Sequence, residues 1–387
     1  MVQRLLSTRS SWLLVLAALA AVSVNGDGWR YLVDVDVYRQ GAAALLHDPG
    51  NLYHRAYPTA DRALPFTYPP FGALLLAPLA ALPQFAAEVA MTAISVVCLY
   101  WSLRTLHTPH IGAILAAALL LEPVTSTISF GQINILLMAL VLHDCLAPQR
   151  RLPRGLLTGL AAACKLTPGV FLLYFLARRD FRAAAWFTGA GAAATGLAAA
   201  FRPRDSITYF TGTLWDAHRI GDLGEATNVS LLAVLVRADV DKHWWWLIAA
   251  LGCGVFVIAW RTPIDAACLL TVAYFGLVAS PVSWSHHWVW LVPGVVIMWR
   301  VARWWCWWAL AAMTIGQFHK WLPWGEWAGW ESLLAAHYLF VAAALWLICC
   351  RLSCAASPQR GTPAPGTAAC STAGRRPIRS GPADPHR

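Results

Sequence analysis

Residues 32–38 read LVDVDVY and set two carboxylates, Asp34 and Asp36, two positions apart in a chain that is 58% hydrophobic and only 12% charged. Three chemistries fit such a pair: a seat for a metal ion, one catalytic base with a bystander, or helix-start acids in a solvated loop. Position alone does not separate them. A charge at mid-bilayer costs on the order of 2.5 to 3.5 kcal/mol, so acids placed near the end of an apolar span invite a functional reading. Lys165 raises the same question more sharply, because an ammonium in a broken membrane helix requires an anionic partner. His286 and His287, between Trp284 and Trp288, read either as interfacial anchors or as groups for phosphate binding and proton transfer, if one faces a cavity. In GQIN (131–134) the plain reading is a turn with Gly131 at the bend. NVS at Asn228 matches a glycosylation sequon, a pattern too common to weigh.

The elements that must position these residues are membrane helices. Across 387 residues the mean hydropathy is +0.54, there are 22 Trp, and apolar runs recur along nearly the whole length, which excludes a single aqueous core. The net charge of +10 does not indicate nucleic acid, since the basic residues cluster between apolar runs and in the tail, as the positive-inside rule expects. The 10 Cys show neither CxxC nor Cys/His spacing and behave as small hydrophobes. Cys349, Cys350 and Cys354 close the last apolar run, where packing is favoured over acylation.

Lys/Arg clusters at Arg4/Arg9, Arg104, 148–154, 178–182, Arg261, 300–303 and Arg351 are all placed inside by one topology. It has about twelve membrane segments in a polytopic domain over 1–350, begins with an uncleaved span at 12–24, and ends in a disordered cytoplasmic tail over 351–387. Residues 71–82 are too short and too Pro-flanked to cross and are expected at the outer interface. Residues 155–177 are broken by Lys165 and Pro168 into two short halves, a form tolerated only where protein or a cavity covers the unwound backbone. Spans are expected at 84–103, 111–128, 135–147, 183–201, 244–260, 264–279, 289–299, 304–318 and 332–350, with a long outer loop over 202–242. The parity puts DVDVY, GQIN, the Asn228 loop and SPVSWSHH (280–287) on one outer face. Tyr38, Gln132, Asn134, Asn228, His286 and His287 on that face, with Lys165 of the broken helix, are the candidate substrate-binding residues.

The series DVDVYRQGAAALL (34–46), LPFTYPPFGALLLAPLAALP (64–83), GQINILLMALVL (131–142), GLAAACKLTPGVFLLYFLARR (159–179), NVSLLAVLVR (228–237) and SPVSWSHHWVWLVP (280–293) resembles the motif series of glycosyltransferase family 87. That family comprises actinobacterial polyprenol-phosphate-mannose-dependent α-1,2-mannosyltransferases. The resemblance implies an all-α integral membrane protein of GT-C type, acting at the cell membrane with its active site outside. It also implies a polyprenyl-phosphate-mannose donor and a lipid-anchored glycolipid or glycan acceptor, such as phosphatidylinositol mannoside or lipoarabinomannan precursors. The family pattern D-x-x-V-Y falls on Asp34, leaves Asp36 at a variable position and assigns Asp34 as general base toward the acceptor hydroxyl. Conversion of a β-mannosyl phosphate into an α-mannoside is an inversion, for which one base suffices. Phosphate leaves readily, helped by Lys165 or a protonated His. No metal and no cofactor is expected, because two carboxylates alone hold a hard cation weakly. A polyprenyl-phosphate flippase would share the cavity and the cations, but no internal repeat is found and the polar motifs gather at one face, which favours the enzyme.

Overall fold

The helix Val33–His47 begins where Leu32 is still extended, and both acids, Asp34 and Asp36, fall in its first turn, where the positive end of the backbone dipole favours them. It ends ahead of Asp48, Pro49 and Gly50. In a helix two positions span about 200°, so side chains at i and i+2 diverge. Asp36 accordingly lies 3.7 Å from Arg39, whose guanidinium also donates to Leu82 O and Gln84 Oε1. The computed structural model describes residues 13–20, 32–60, 62–315, 317–318 and 329–355.

The architecture is mainly helical, with one correction to the all-α expectation. Strands Ala56–Pro58 and Ala63–Pro65 form an antiparallel hairpin that pairs Tyr57 with Leu64, and no alternating run there is long enough to read as strand. Phe66, just past the second strand, packs so closely on the Asp34 helix that a Cβ at Gly41 would sit 2.4 Å from its ring.

Four described helices are long and apolar enough to cross a membrane: Gln84–Thr105, Phe181–Phe201, Asp241–Arg261 and His337–Cys354. Their outward faces carry apolar side chains such as Val97, Leu197, Trp246 and Leu347, as a lipid solvent permits and water disfavours. The expected span at 111–128 is instead two helices, Ile111–Leu119 and Glu122–Phe130, bent by 70°. Pro123 causes the break, since it has no N–H for the Leu119 carbonyl and its ring crowds that group. Counted as one bent span, the pair makes a fifth. Among the described residues, the helices at the other expected segments are shorter. Residues 289–299 provide only the helix Leu291–Met298 after a 3₁₀ turn, Ser285–Trp290, and 304–318 contribute Arg303–Thr314.

The loop expected over 202–242 holds two helices, Pro203–Thr211 and Leu231–Arg237. Pro203 suits the first turn of one. Ser230 caps the other by accepting from Ala233 N at 3.0 Å. Residues 71–82 form two short helices, Pro70–Leu75 and Ala77–Ala80. The last helix runs His337–Ala355, past the boundary expected at Arg351. Residue 12 and residues 21–24 of the expected first span, and the tail beyond residue 355, lie outside the described residues.

Candidate active site

Three breaks in helical structure build the site. The first is GQIN. Gly131 takes φ +73° at the end of Glu122–Phe130, while Gly131 N bonds Ile128 O and Gln132 N bonds Thr127 O, the paired closure of a Schellman motif. A Cβ on Gly131 would meet Val35 at 2.3 Å, so only glycine lets this turn dock on the Asp34 helix. Gln132 is thereby aimed at Asp34, and Asn134 opens the helix Asn134–Leu146.

The second break is at Lys165, which is extended between the helix Leu156–Cys164 and the 3₁₀ turn Thr167–Phe171. The third is the turn Ser285–Trp290. Its His286 carbonyl accepts from Thr127 Oγ1 at 2.8 Å and Asn134 Nδ2 at 3.1 Å, which fixes the turn against the GQIN segment.

The polar groups then form one chain. Gln132 Nε2 donates to Asp34 Oδ2 at 2.7 Å, and Gln132 Oε1 accepts from Tyr38 at 3.0 Å and Tyr68 at 2.7 Å. The two phenol oxygens are 2.9 Å apart, so three oxygen contacts share two protons and one contact lacks a proton at any instant. Lys165 Nζ donates to Tyr68 OH at 3.1 Å and Asn134 Oδ1 at 2.8 Å, and stands 3.4 Å from His287 Nε2. Asn134 therefore orients both ends: its oxygen holds the ammonium and its nitrogen holds the histidine turn.

Asp34, Tyr38, Gln132, Lys165 and His287 line one cavity of about 390 Å³. Burial pushes the Asp34 carboxyl up to about 6, against the opposing pull of the Gln132 hydrogen bond and then of Lys165 and Arg62. Burial first, and the neighbouring Lys165 and His286 next, hold His287 well below the usual imidazole range. Lys165 Nζ, 3.4 Å from His287 Nε2, is the cationic group beside it.

Three expected substrate residues do not line this cavity: Asn134, which orients Lys165 and the histidine turn as above, His286 and Asn228. The His286 ring packs on Phe130 and edge-on to His287, and it does not line the cavity. Asn228 is fully buried, with Nδ2 donating to Leu223 O and Pro281 O and Oδ1 accepting from Ser230 N and Ser283 N. It staples the loop at 222–230 to the segment entering the histidine turn, so its link to the site runs through backbone. Cys349 is buried and Cys350 and Cys354 are exposed.

Sequence reasoning missed Tyr68, Thr127 and Glu122. Tyr68 and Thr127 carry no signal that separates them from ordinary core residues. Glu122 does: a carboxylate inside an apolar run is expensive unless partnered. It is buried and accepts from Ser126 Oγ, Ser285 Oγ and Tyr338 OH at 2.8, 2.8 and 2.9 Å. Those bonds tie the bent helix pair to the histidine turn and the last long helix.

The profile of glycosyltransferase family 87 matches residues 66–281. That stretch includes Gln132, Asn134, Lys165 and Asn228 and stops short of Asp34 and the histidines. The polyprenol-phosphate-mannose-dependent alpha-(1-2)-phosphatidylinositol mannoside mannosyltransferase of Mycobacterium tuberculosis is 38% identical, covering 76% of this chain and 77% of that protein. Its namesake from Mycolicibacterium smegmatis is 38% identical over 73% and 74%. The Mycobacterium tuberculosis alpha-(1-2)-phosphatidylinositol pentamannoside mannosyltransferase, also polyprenol-phosphate-mannose-dependent, is 36% identical over 76% and 72%. No solved structure is significantly similar to the chain. With its profile match, these relatives over most of its length and several apolar helices, the chain belongs to glycosyltransferase family 87 as a membrane-associated mannosyltransferase.

Proposed function

We propose that the protein transfers mannose, with inversion, from polyprenyl-phosphate-mannose to a phosphatidylinositol mannoside or related glycolipid, at the outer face of the cytoplasmic membrane and within a GT-C type fold. The observation that carries this reading is the single cavity shared by Asp34 and by the Lys165/His287 pair, with Gln132 and Tyr68 linking the two ends. A base and a phosphate-binding cation on one cavity wall, spaced by the Gln132–Tyr68 link, suit an in-line displacement. The acceptor hydroxyl loses its proton to Asp34 Oδ1 or Oδ2 as its oxygen bonds to the anomeric carbon. The bond from that carbon to phosphate breaks on the other side, and the polyprenyl phosphate leaves with the electron pair.

Lys165, itself buried, meets the charge that develops on the leaving phosphate, where burial strengthens such a contact. His287, neutral, adds hydrogen-bonding capacity beside it. Gln132 does two jobs: it orients the base, and it ties the base to the hydroxyls that support Lys165. Asp36 is turned toward Arg39, which supports the single-base reading over a metal-binding pair.

The test is product analysis. Purified protein given lipid-linked mannose and phosphatidylinositol mannosides should yield an acceptor extended by one α-1,2-linked mannose. A β-linked product, or none from wild-type protein with intact donor, overturns the proposal. The expected face is checked by a cysteine placed beside Asn228 and another within 148–154: an impermeant thiol reagent should reach the first alone.

A further inference from the structure

The helices that frame the catalytic cavity meet again in a second polar site at their far ends. The helix Asn134–Leu146 starts at Asn134, a partner of Lys165, and ends 13 residues later, about 20 Å away at 1.5 Å per residue. There Arg150 and Arg154 donate to the carbonyls of Asp144 and Cys145. The helices Asp241–Arg261 and Asp265–Ala279 run between the same two ends: Trp245 and Ser280 line the catalytic cavity, while Trp260 and Asp265 line an open hollow of about 590 Å³. Three arginines, Arg154, Arg178 and Arg179, and a second aspartate, Asp180, also line it, which leaves one net positive charge. Both aspartates are already paired, Asp180 with Arg154 at 3.0 Å and Asp265 with Arg178.

Arg179 is in neither pair. Its φ is +54°, left-handed backbone that glycine adopts freely and arginine only at a cost. The turn that holds it closes a helix, with Arg179 N bonded to Leu176 O and Asp180 N to Phe175 O. Its guanidinium lies 4.5 Å over the Trp260 ring. A guanidinium on a ring face turns its N–H edge away from the ring, where phosphate oxygens can bind. Beside the hollow, Phe181, Trp260 and Ile264 are exposed apolar side chains, so a spare cation adjoins a surface that suits hydrocarbon. That order of polarity fits a phosphate head with acyl chains and does not serve free phosphate. We propose that this hollow binds an anionic phospholipid, its phosphate at Arg179 and its chains against Phe181, Trp260 and Ile264, in the leaflet on the side away from the catalytic cavity. Basic residues are common on the inner side of membrane proteins, and Arg151, exposed and outside the hollow, carries the same charge without the setting.

The test titrates detergent-solubilised protein with phosphatidylglycerol, and in parallel with phosphatidylcholine and with inorganic phosphate, read by native mass spectrometry and thermal unfolding. Wild-type protein should retain phosphatidylglycerol in preference to phosphatidylcholine and unfold at a higher temperature with it, while inorganic phosphate does little. Arg179→Gly removes the guanidinium where glycine fits the backbone, so the variant keeps its fold. Its affinity for phosphatidylglycerol should fall on the order of tenfold, the worth of one charge-assisted hydrogen bond. Arg151→Gln should bind the lipid as wild type does, and so should Lys165→Ala, which alters the catalytic cavity alone. Unchanged binding in Arg179→Gly overturns the proposal. Equal stabilisation by inorganic phosphate overturns it in favour of a free anion, and an equal loss in Arg151→Gln in favour of diffuse surface charge. A loss in Lys165→Ala without one in Arg179→Gly overturns it by moving the lipid to the catalytic cavity.

Discussion

Asp34 and Glu122 are both carboxylates inside a largely apolar protein, and they are treated in opposite ways. Glu122 is wrapped by three hydroxyl donors from three separate segments and does not line the catalytic cavity. Among the described residues, Asp34 accepts one side-chain hydrogen bond, from Gln132, and faces the cavity. Asp144 follows Glu122: Gly155 N, Thr158 N and Thr158 Oγ1 all donate to its Oδ2. A buried acid supplied with donors organises backbone, whereas one left short of donors beside a cavity keeps a lone pair available for a proton.

The largest expected effect tests the second half of that contrast. Asp34→Asn should cost about 10²- to 10⁴-fold in kcat, the usual worth of a general base, while donor lipid still binds, as measured by lipid-phosphate binding alongside turnover. Because burial disfavours the ionised carboxylate, the neutral amide should unfold at a higher temperature at neutral pH, so activity and stability move in opposite directions. Asp36→Asn should be milder, since its carboxylate is turned to Arg39. Equal and total loss in both variants, together with loss of wild-type activity on chelation, would favour a metal-binding pair.

Glu122→Ala should do the reverse. It orphans hydroxyls in the interior at about 1 to 3 kcal/mol apiece, so thermal unfolding in detergent should shift down by several degrees. Glu122→Gln, which still accepts hydrogen bonds, should recover most of that. If Glu122→Ala instead melts like wild type and abolishes turnover, the two carboxylates do not divide as argued.

Next in size is the phosphate end. Lys165→Ala removes a charge-assisted contact worth about 1.5 to 3 kcal/mol, which should appear as weaker donor binding with acceptor affinity barely changed. His287→Ala should act in the same direction but less. His286→Ala should act least, since its ring is packed on Phe130 outside the cavity and its backbone carbonyl, the part that is used, survives the change. A His286→Ala defect larger than that of His287→Ala would reverse this assignment.

What was legible in the sequence follows the same division. Long apolar helices and the break at Lys165 announce themselves through composition and Pro168, and Asp34, Gln132, Lys165 and His287 stand out as polar residues with little reason to sit there. Asn228 and His286 stand out equally well, yet their roles depend on which way a side chain turns, and neighbouring residues on a 3₁₀ turn such as His286 and His287 point apart by more than any pattern records. Asp36 is the converse case, since helical spacing alone separates it from Asp34 once the helix is known to start at Val33. Glu122 falls inside the stretch read as one span at 111–128, whereas Pro123 beside it marks a corner around which a buried acid is built.

The smallest effect probes the link between the two ends of the site. Gln132 stabilises the ionised form of Asp34 by donating to it, and so opposes burial. The base works only when deprotonated, so kcat/KM for wild-type protein should fall as pH drops through about 6. Gln132→Met keeps the approximate length and removes the donor. The carboxyl then titrates higher, and the acid limb of the profile should move to higher pH, with activity at alkaline pH much less affected than activity at pH 6. A purely structural role for Gln132 would lower the whole profile without moving its limb. Tyr68→Phe provides the control: it removes a hydroxyl from Gln132 Oε1 and from Lys165 but leaves the donor to Asp34 in place, so it should weaken donor binding with a smaller displacement of the limb.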